Sequence, residues 1–249
     1  MIIIRLKNLF LLTLVLFCAG RVTAAVVVNI DFNYNTDGTE TYIGQGAHSD
    51  NGNNFWNAIK SSTINTTQIF KASDGITDTG ITFTMGAPGS DYNFSSGGAP
   101  LGVAGDLMQD YLYTFNDSST PVSFSIGGLS AGSTYEIYIY SAVGGYNWTR
   151  DRQAVFTLDG VSQSVNGYSS ATDGGPLYDS FVLGDNYLKF TVTTVGMSLN
   201  GSFYTPTNGE AEFNGLQIVQ VTSIPEPATT SLILGTLVLI IGCRRSRSE

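Results

Sequence analysis

Cysteine is missing from everything but the two ends of this chain. Cys18 and Cys243 both sit in apolar terminal segments, so the residues between them carry no disulfide, no thiol nucleophile and no Cys/His zinc site. Histidine is as scarce, with His48 alone in the polar stretch Gly46-Ala47-His48-Ser49-Asp50. An acyl-transfer triad needs a base held beside its nucleophile, and a lone histidine in such a loop reads as an exposed side chain. Charge is thin too, at 12% of 249 residues. Between residues 25 and 224 only Lys60, Lys71, Arg150, Arg152 and Lys189 are basic against eighteen carboxylates, a balance of −13. A surface so poor in cations cannot neutralise a row of phosphates, which excludes nucleic acid as a partner. Helical periodicity is lacking as well: no stretch of the body sustains it beyond about two turns, the best being residues 54–59 around Phe55, Trp56 and Ile59.

What is present begins at the ends. Arg5 and Lys7, a mostly apolar stretch over 8–20, and Val22-Thr23-Ala24 follow the basic, apolar and small-residue order of a secretory signal peptide. Residues 1–24 are therefore expected to engage the Sec translocon and be removed by signal peptidase. At the far end Ile224-Pro225-Glu226-Pro227 precedes an apolar run over 228–243 and then Arg244-Arg245-Ser246-Arg247. As a helix that run reaches about 24 Å, a little short of a hydrocarbon layer of about 30 Å. The arginines favour the cytoplasmic side, and the prolines leave the residues before the helix extended and open to a processing enzyme.

Pro-Glu-Pro, a short apolar helix and an arginine cluster in this order resemble the PEP-CTERM sorting signal of Gram-negative bacteria, over residues 224–247. The resemblance implies that exosortase, a membrane cysteine protease-transpeptidase, recognises Pro225, Glu226 and Pro227 while Arg244 and Arg245 stay inside. It further implies a transient membrane anchor through the C-terminal helix, then residence at the cell surface or in the extracellular matrix, in association with exopolysaccharide and biofilm.

The body between the ends reads as strands. Residues 134–141 alternate Tyr135, Ile137 and Ile139 against Glu136, Tyr138 and Tyr140, which predicts a half-buried strand. Shorter runs at 26–32, 81–85, 111–115, 122–126, 154–158, 187–195 and 212–221 read likewise. Gly127-Gly128, Asp159-Gly160 and Asp173-Gly174-Gly175 supply turn chemistry between them. Many short strands without crossover helices predict an antiparallel sandwich. Three regions follow: a signal peptide at 1–24, a sandwich domain at 25–222 and the sorting segment at 223–249. The order of Val28-Asn29-Ile30-Asp31-Phe32, Gly44-Gln45-Gly46-Ala47, residues 135–141 and Phe213-Asn214-Gly215-Leu216-Gln217-Ile218 is similar to jelly-roll domains of the galactose-binding-like and malectin-like kind. That resemblance implies an all-β jelly-roll β-sandwich and a carbohydrate ligand.

Candidate site residues follow from this. A sugar platform pairs aromatic faces with amides and arginines, and Tyr146, Asn147, Trp148 and Arg150 collect these types after Gly144-Gly145. Tyr138 and Tyr140 are expected to extend that surface from the polar face of their strand. The packing alternative has Trp148 plugging an end of the sandwich and the arginines, Arg152 among them, paired with Asp151 and Asp159. For a cofactor nothing is indicated beyond calcium in a structural role, with oxygen ligands drawn from Asp31, Asp50, Asn51 and Asn53. Glu210 and Glu212 share a strand face and read as solvated charge rather than as the facing pair that glycoside hydrolysis requires. The expected function is non-catalytic, a carbohydrate-binding or structural matrix component; the alternative is a secreted polysaccharide hydrolase or lyase on the same sandwich.

Overall fold

The computed structural model describes residues 25–34, 41–50, 52–60, 62–64, 66–86, 92–96, 106–142, 152–166, 180–207 and 209–221. Ala25–Val221 form one compact unit. The expected signal peptide at 1–24, the expected sorting segment at 223–249, Asn51, and Tyr146, Asn147, Trp148 and Arg150 lie outside the described residues.

All the regular structure described is β, apart from one 3-10 turn at Asp106–Met108. The strands are β1 (Val27–Asn33), β2 (Asn57–Lys60), β3 (Gln68–Lys71), β4 (Asp78–Met85), β5 (Tyr92–Ser96), β6 (Asp110–Thr114), β7 (Val122–Gly127), β8 (Thr134–Tyr140), β9 (Ala154–Leu158), β10 (Val161–Val165), β11 (Tyr187–Thr193), β12 (Leu199–Tyr204), β13 (Ala211–Phe213) and β14 (Gly215–Val221). They form a five-stranded sheet in the order β11-β8-β14-β1-β2, a six-stranded sheet in the order β10-β9-β12-β7-β4-β3, and a three-stranded sheet in the order β13-β6-β5. Every pairing between these strands is antiparallel except β1 with β2.

Alternation fills the space between the two large sheets. Ile30, Ile137, Ile139, Leu216 and Ile218 from one meet Phe83, Phe124, Ile126, Phe156 and Phe203 from the other in one buried cluster. β-branched and aromatic residues suit this pleated, half-buried setting. Phe213 lies at its heart, with ring centroids 4.7 Å from Phe32, 5.1 Å from Phe156 and 5.4 Å from Phe124. The Asp159-Gly160 turn is a two-residue hairpin, since Leu158 pairs with Val161 and both turn residues have positive φ (48° and 83°). This is the geometry that Asp-Gly favours between strands.

One candidate is settled and one expectation changes here. Residues 54–59 are no helix: 57–60 pair with β1 as β2, because Asn57 seats its carboxamide on the Asn29 and Lys71 carbonyls (2.9 Å each). The single strand expected over 212–221 is two, broken at the buried Asn214. Asn214 binds across the break: its Nδ2 donates to the Asp110 carbonyl (3.0 Å) and its Oδ1 accepts from the Ala142 amide (2.8 Å). The chain thereby leaves the three-stranded sheet and enters the five-stranded one, a corner of the sort that sandwiches make where a strand changes sheets.

Candidate functional site

β8 is buried on both sides, which overturns the half-exposed expectation for its tyrosines. Tyr140 is fully buried and Tyr138 is 6% exposed, within a second apolar cluster with Tyr42, Trp56, Leu107 and Met108. The segment 41–56 lies over this face, and buried polar groups tie it there. The Tyr140 hydroxyl accepts from the Ala47 amide (2.7 Å) and donates to Gln217 Oε1. Gln217 Oε1 also accepts from the His48 amide (3.0 Å), while its Nε2 donates to Asn29 Oδ1 (2.8 Å) and the His48 carbonyl (3.1 Å). Gly46 passes so close that a Cβ there would collide with the Gln217 carboxamide. Burial pushes the Tyr140 phenol well up from its ordinary value. Tyr140 is thus a rivet for the overlying segment and has no face for a sugar. The signal that could have revealed this was the presence of amides, Asn29 and Gln217, at the polar positions of two strands.

Tyr138 stands at the rim of the cluster. Its hydroxyl donates to Glu136 Oε2 (2.8 Å), its ring lies 5.8 Å from His48 and 6.1 Å from Tyr187, and Lys189 Nζ sits 5.3 Å above it. Lys189 also bridges Glu136 at 2.7 Å. Burial, then the hydrogen bond to Glu136, raises the Tyr138 phenol. His48 is therefore half-buried against an aromatic edge rather than loose in solvent.

Of the residues expected to ligate calcium, Asp31, Asp50 and Asn53 are described. Asp31 Oδ2 accepts from the Tyr42 amide (2.8 Å), whereas Asp50 Oδ2 accepts from the Ser73 hydroxyl and from Asn53 Nδ2 (3.3 Å). The Asp50 turn closes on itself, with the Asn53 amide donating to the Asp50 carbonyl at 2.8 Å. Among the described residues no group of three acidic, histidine or cysteine side chains is placed to hold a metal ion.

Glu210 and Glu212 are the larger correction. Glu212 is fully buried and Glu210 is 5% exposed, and between them lies Arg152 at 1%. Arg152 Nη1 donates to Glu212 Oε1 and, at 2.9 Å, to Glu210 Oε1; Asp159 instead accepts from the Asn200 amide. The alternation that buries Phe213 on one side of β13 sets Glu212 on the other, where no sequence pattern announces an interior. Among the described residues Glu212 Oε2 makes no hydrogen bond. Burial pushes the Glu212 carboxyl up to about 8 against the pull of Arg152, and the carboxylates in turn raise the guanidinium. One arginine balances one carboxylate, so the electrically neutral form of the triad keeps a proton on Glu212.

That proton has a measurable sign. A carboxyl raised in the folded state above its ordinary 4.5 adds stability that is complete below the ordinary value and lost as pH climbs to about 8. The free energy of unfolding should fall between about pH 5 and 8, by at most about 1.4 kcal/mol per pH unit from this group, and level off above, with the melting temperature following it. Thermal melts of Glu212→Gln across that range should be flat by comparison; parallel curves for the two proteins would show that Glu212 does not titrate there.

The triad also has a position. Ser141 Oγ donates to the Glu212 carbonyl (2.7 Å) and the Ala142 amide to Asn214 Oδ1, while Arg152 binds the side chains of Glu210 and Glu212. Residues 141–142 and 152 are therefore fastened to 210–214.

No protein-family model and no curated protein matches the chain. Among solved structures it is similar to the extracellular domain of ANXUR2 from Arabidopsis thaliana, at 8% identity over 56% of this chain and 41% of that one, with a TM-score of 0.39. It is similar to an exo-beta-1,3-galactanase of Phanerochaete chrysosporium solved with beta-1,3-galactotriose, at 11% identity over 59% and 31% with a TM-score of 0.33. It is also similar to a family 35 carbohydrate-binding module from Clostridium thermocellum, at 13% identity over 50% and 90% with a TM-score of 0.30. The chain spans less than half the length of the first two.

Proposed function

We propose that this is an exported, non-catalytic carbohydrate-binding protein of the Gram-negative cell surface or extracellular matrix, led out by residues 1–24 and processed by exosortase at its C-terminal segment. The observation that carries the binding role is the anchoring of Ser141, Ala142 and Arg152, the described residues on either side of 143–151. They are held by buried groups of 210–214, and the sequence between them holds Tyr146, Asn147, Trp148 and Arg150. A recognition loop gains affinity when its ends are fixed by a rigid support, because less order remains to be imposed on binding. The same geometry supports a non-catalytic reading: Glu210 and Glu212 are both engaged by one buried arginine, whereas a glycosidase pair must face a sugar across an open cleft.

The test is titration of the body, residues 25–221, against an array of glycans and the host's own exopolysaccharide, with and without calcium. Saturable binding weakened by about tenfold or more in Trp148→Ala is expected. Binding to no glycan would overturn the proposal in favour of a structural role. The intact mass of the protein recovered from the envelope reports the processing, since an exosortase product ends near residues 225–227 and an unprocessed chain keeps Arg244 and Arg245.

A further inference from the structure

The six-stranded sheet turns one face into the core and the other outward, and the outward face is built without charge across four strands. Two rows of small polar side chains cross it. Thr84 on β4 pairs with Ser125 on β7, which pairs with Asn200 on β12. One step along, Ser123, Ser202, Thr157 and Ser162 stand side by side on β7, β12, β9 and β10. The residues between them, Phe124, Phe156 and Phe203, are buried, so the rows face outward by simple alternation. Adjacent members lie about 4.8 Å apart across strands, and the rows about 6.8 Å apart along them. Larger and charged side chains stand at the margins: Tyr204 beside Val155, the exposed turn residue Asp159 beside Asn200, and on β3 and β4 Ile69, 72% exposed, with the Lys71–Asp78 ion pair.

We infer that this face is a second ligand surface, which lays an uncharged polysaccharide across its strands. The body carries a balance of −13, yet these rows hold no carboxylate and no cation. A neutral polymer landing here strips water from no ion of the protein, whereas covering a charged face would cost heavily. An anionic polymer finds no cation to draw it in. A protein partner fits worse, because protein interfaces are depleted in serine and are centred on aromatic or arginine anchors, and the centre of this face has neither. Hydroxyls at regular spacing on a pleated surface match a chain whose own hydroxyls recur regularly. The choice of ligand class rests on the sugar-binding reading above, but the surface involved is different.

The experiment is depletion of the full chain, held in mild detergent, onto microcrystalline cellulose, insoluble β-1,3-glucan and starch granules, with a calcium alginate gel as the anionic comparison. Saturable adsorption to at least one uncharged polymer and none to alginate is expected. Ser123→Glu with Ser202→Glu should lower that adsorption by about tenfold or more. Ser123→Ala with Ser202→Ala, which removes hydroxyls without adding charge or upsetting the strands, should lower it several-fold. Adsorption retained by both double variants overturns the inference. If Trp148→Ala alone abolishes it, sugar binding stands at the other segment and only this face fails. Adsorption to no uncharged polymer also overturns it, while the soluble glycan array still judges the broader reading separately. A change in sedimentation mass in place of adsorption would make the face a contact between copies, and would overturn it too.

Discussion

Arg152→Met should destabilise the body by about 3–5 kcal/mol at neutral pH, the loss expected when one partner of a buried ion cluster is removed. Arg152 is 1% exposed and is shared by Glu210 and Glu212, so methionine fills its volume but leaves two interior carboxyls without their cation. Urea unfolding should show a lower midpoint with an unchanged slope, since the same surface is exposed on unfolding. The deficit should shrink in acid, where both carboxyls can take up protons. Arg152→Met combined with Glu212→Gln should recover part of the loss, a coupling that a double-mutant cycle measures directly. Arg152→Lys should lie between, because a point charge cannot reproduce the guanidinium fork. An equal loss at pH 5 and pH 8 would mean that packing, and not charge, is what Arg152 supplies.

Phe213→Ala should cost a similar amount, about 3–5 kcal/mol, through transfer and cavity effects. Phe213 is fully buried and has ring partners in both large sheets: Phe32 from one side, and Phe83, Phe124, Phe156 and Phe203 from the other. Five neighbours that are themselves packed cannot all collapse into the space, so little of the void heals. Val195→Ala is the matching control: Val195 is 97% exposed, and its truncation should leave the urea midpoint unchanged. A Phe213→Ala loss below about 2 kcal/mol would indicate that the two sheets close up around the hole.

How far the sequence could be read follows from how strongly each strand advertises itself. Ala154–Leu158 matches the expected run, and β8 is displaced by a single residue at its end, because apolar side chains at every second position over a full strand length suit a pleated backbone and little else. β10 (Val-Ser-Gln-Ser-Val) and β12 (Leu-Asn-Gly-Ser-Phe-Tyr) were not expected, since hydroxyls and amides dilute their pattern; both exist because neighbouring strands supply the hydrogen bonds. Those same diluted strands make the charge-free outer face. Single-sided burial was the natural expectation for β8, and what defeated it was a distant segment, 41–56, held by Tyr140 and Gln217 through contacts that no local period encodes. Arg152 and Glu212 are 60 positions apart, and charged letters give no hint of an interior until the topology joins them.

The first and last strands of the body, β1 and β14, are neighbours, and β14 is bonded along its other side to β8. It makes five pairs with β1 and seven with β8. The last strand of the body is thus an inner strand of its sheet: the gap between β1 and β8 stays empty until residues 215–221 are available to fill it, so the five-stranded sheet closes only once the whole body has been made.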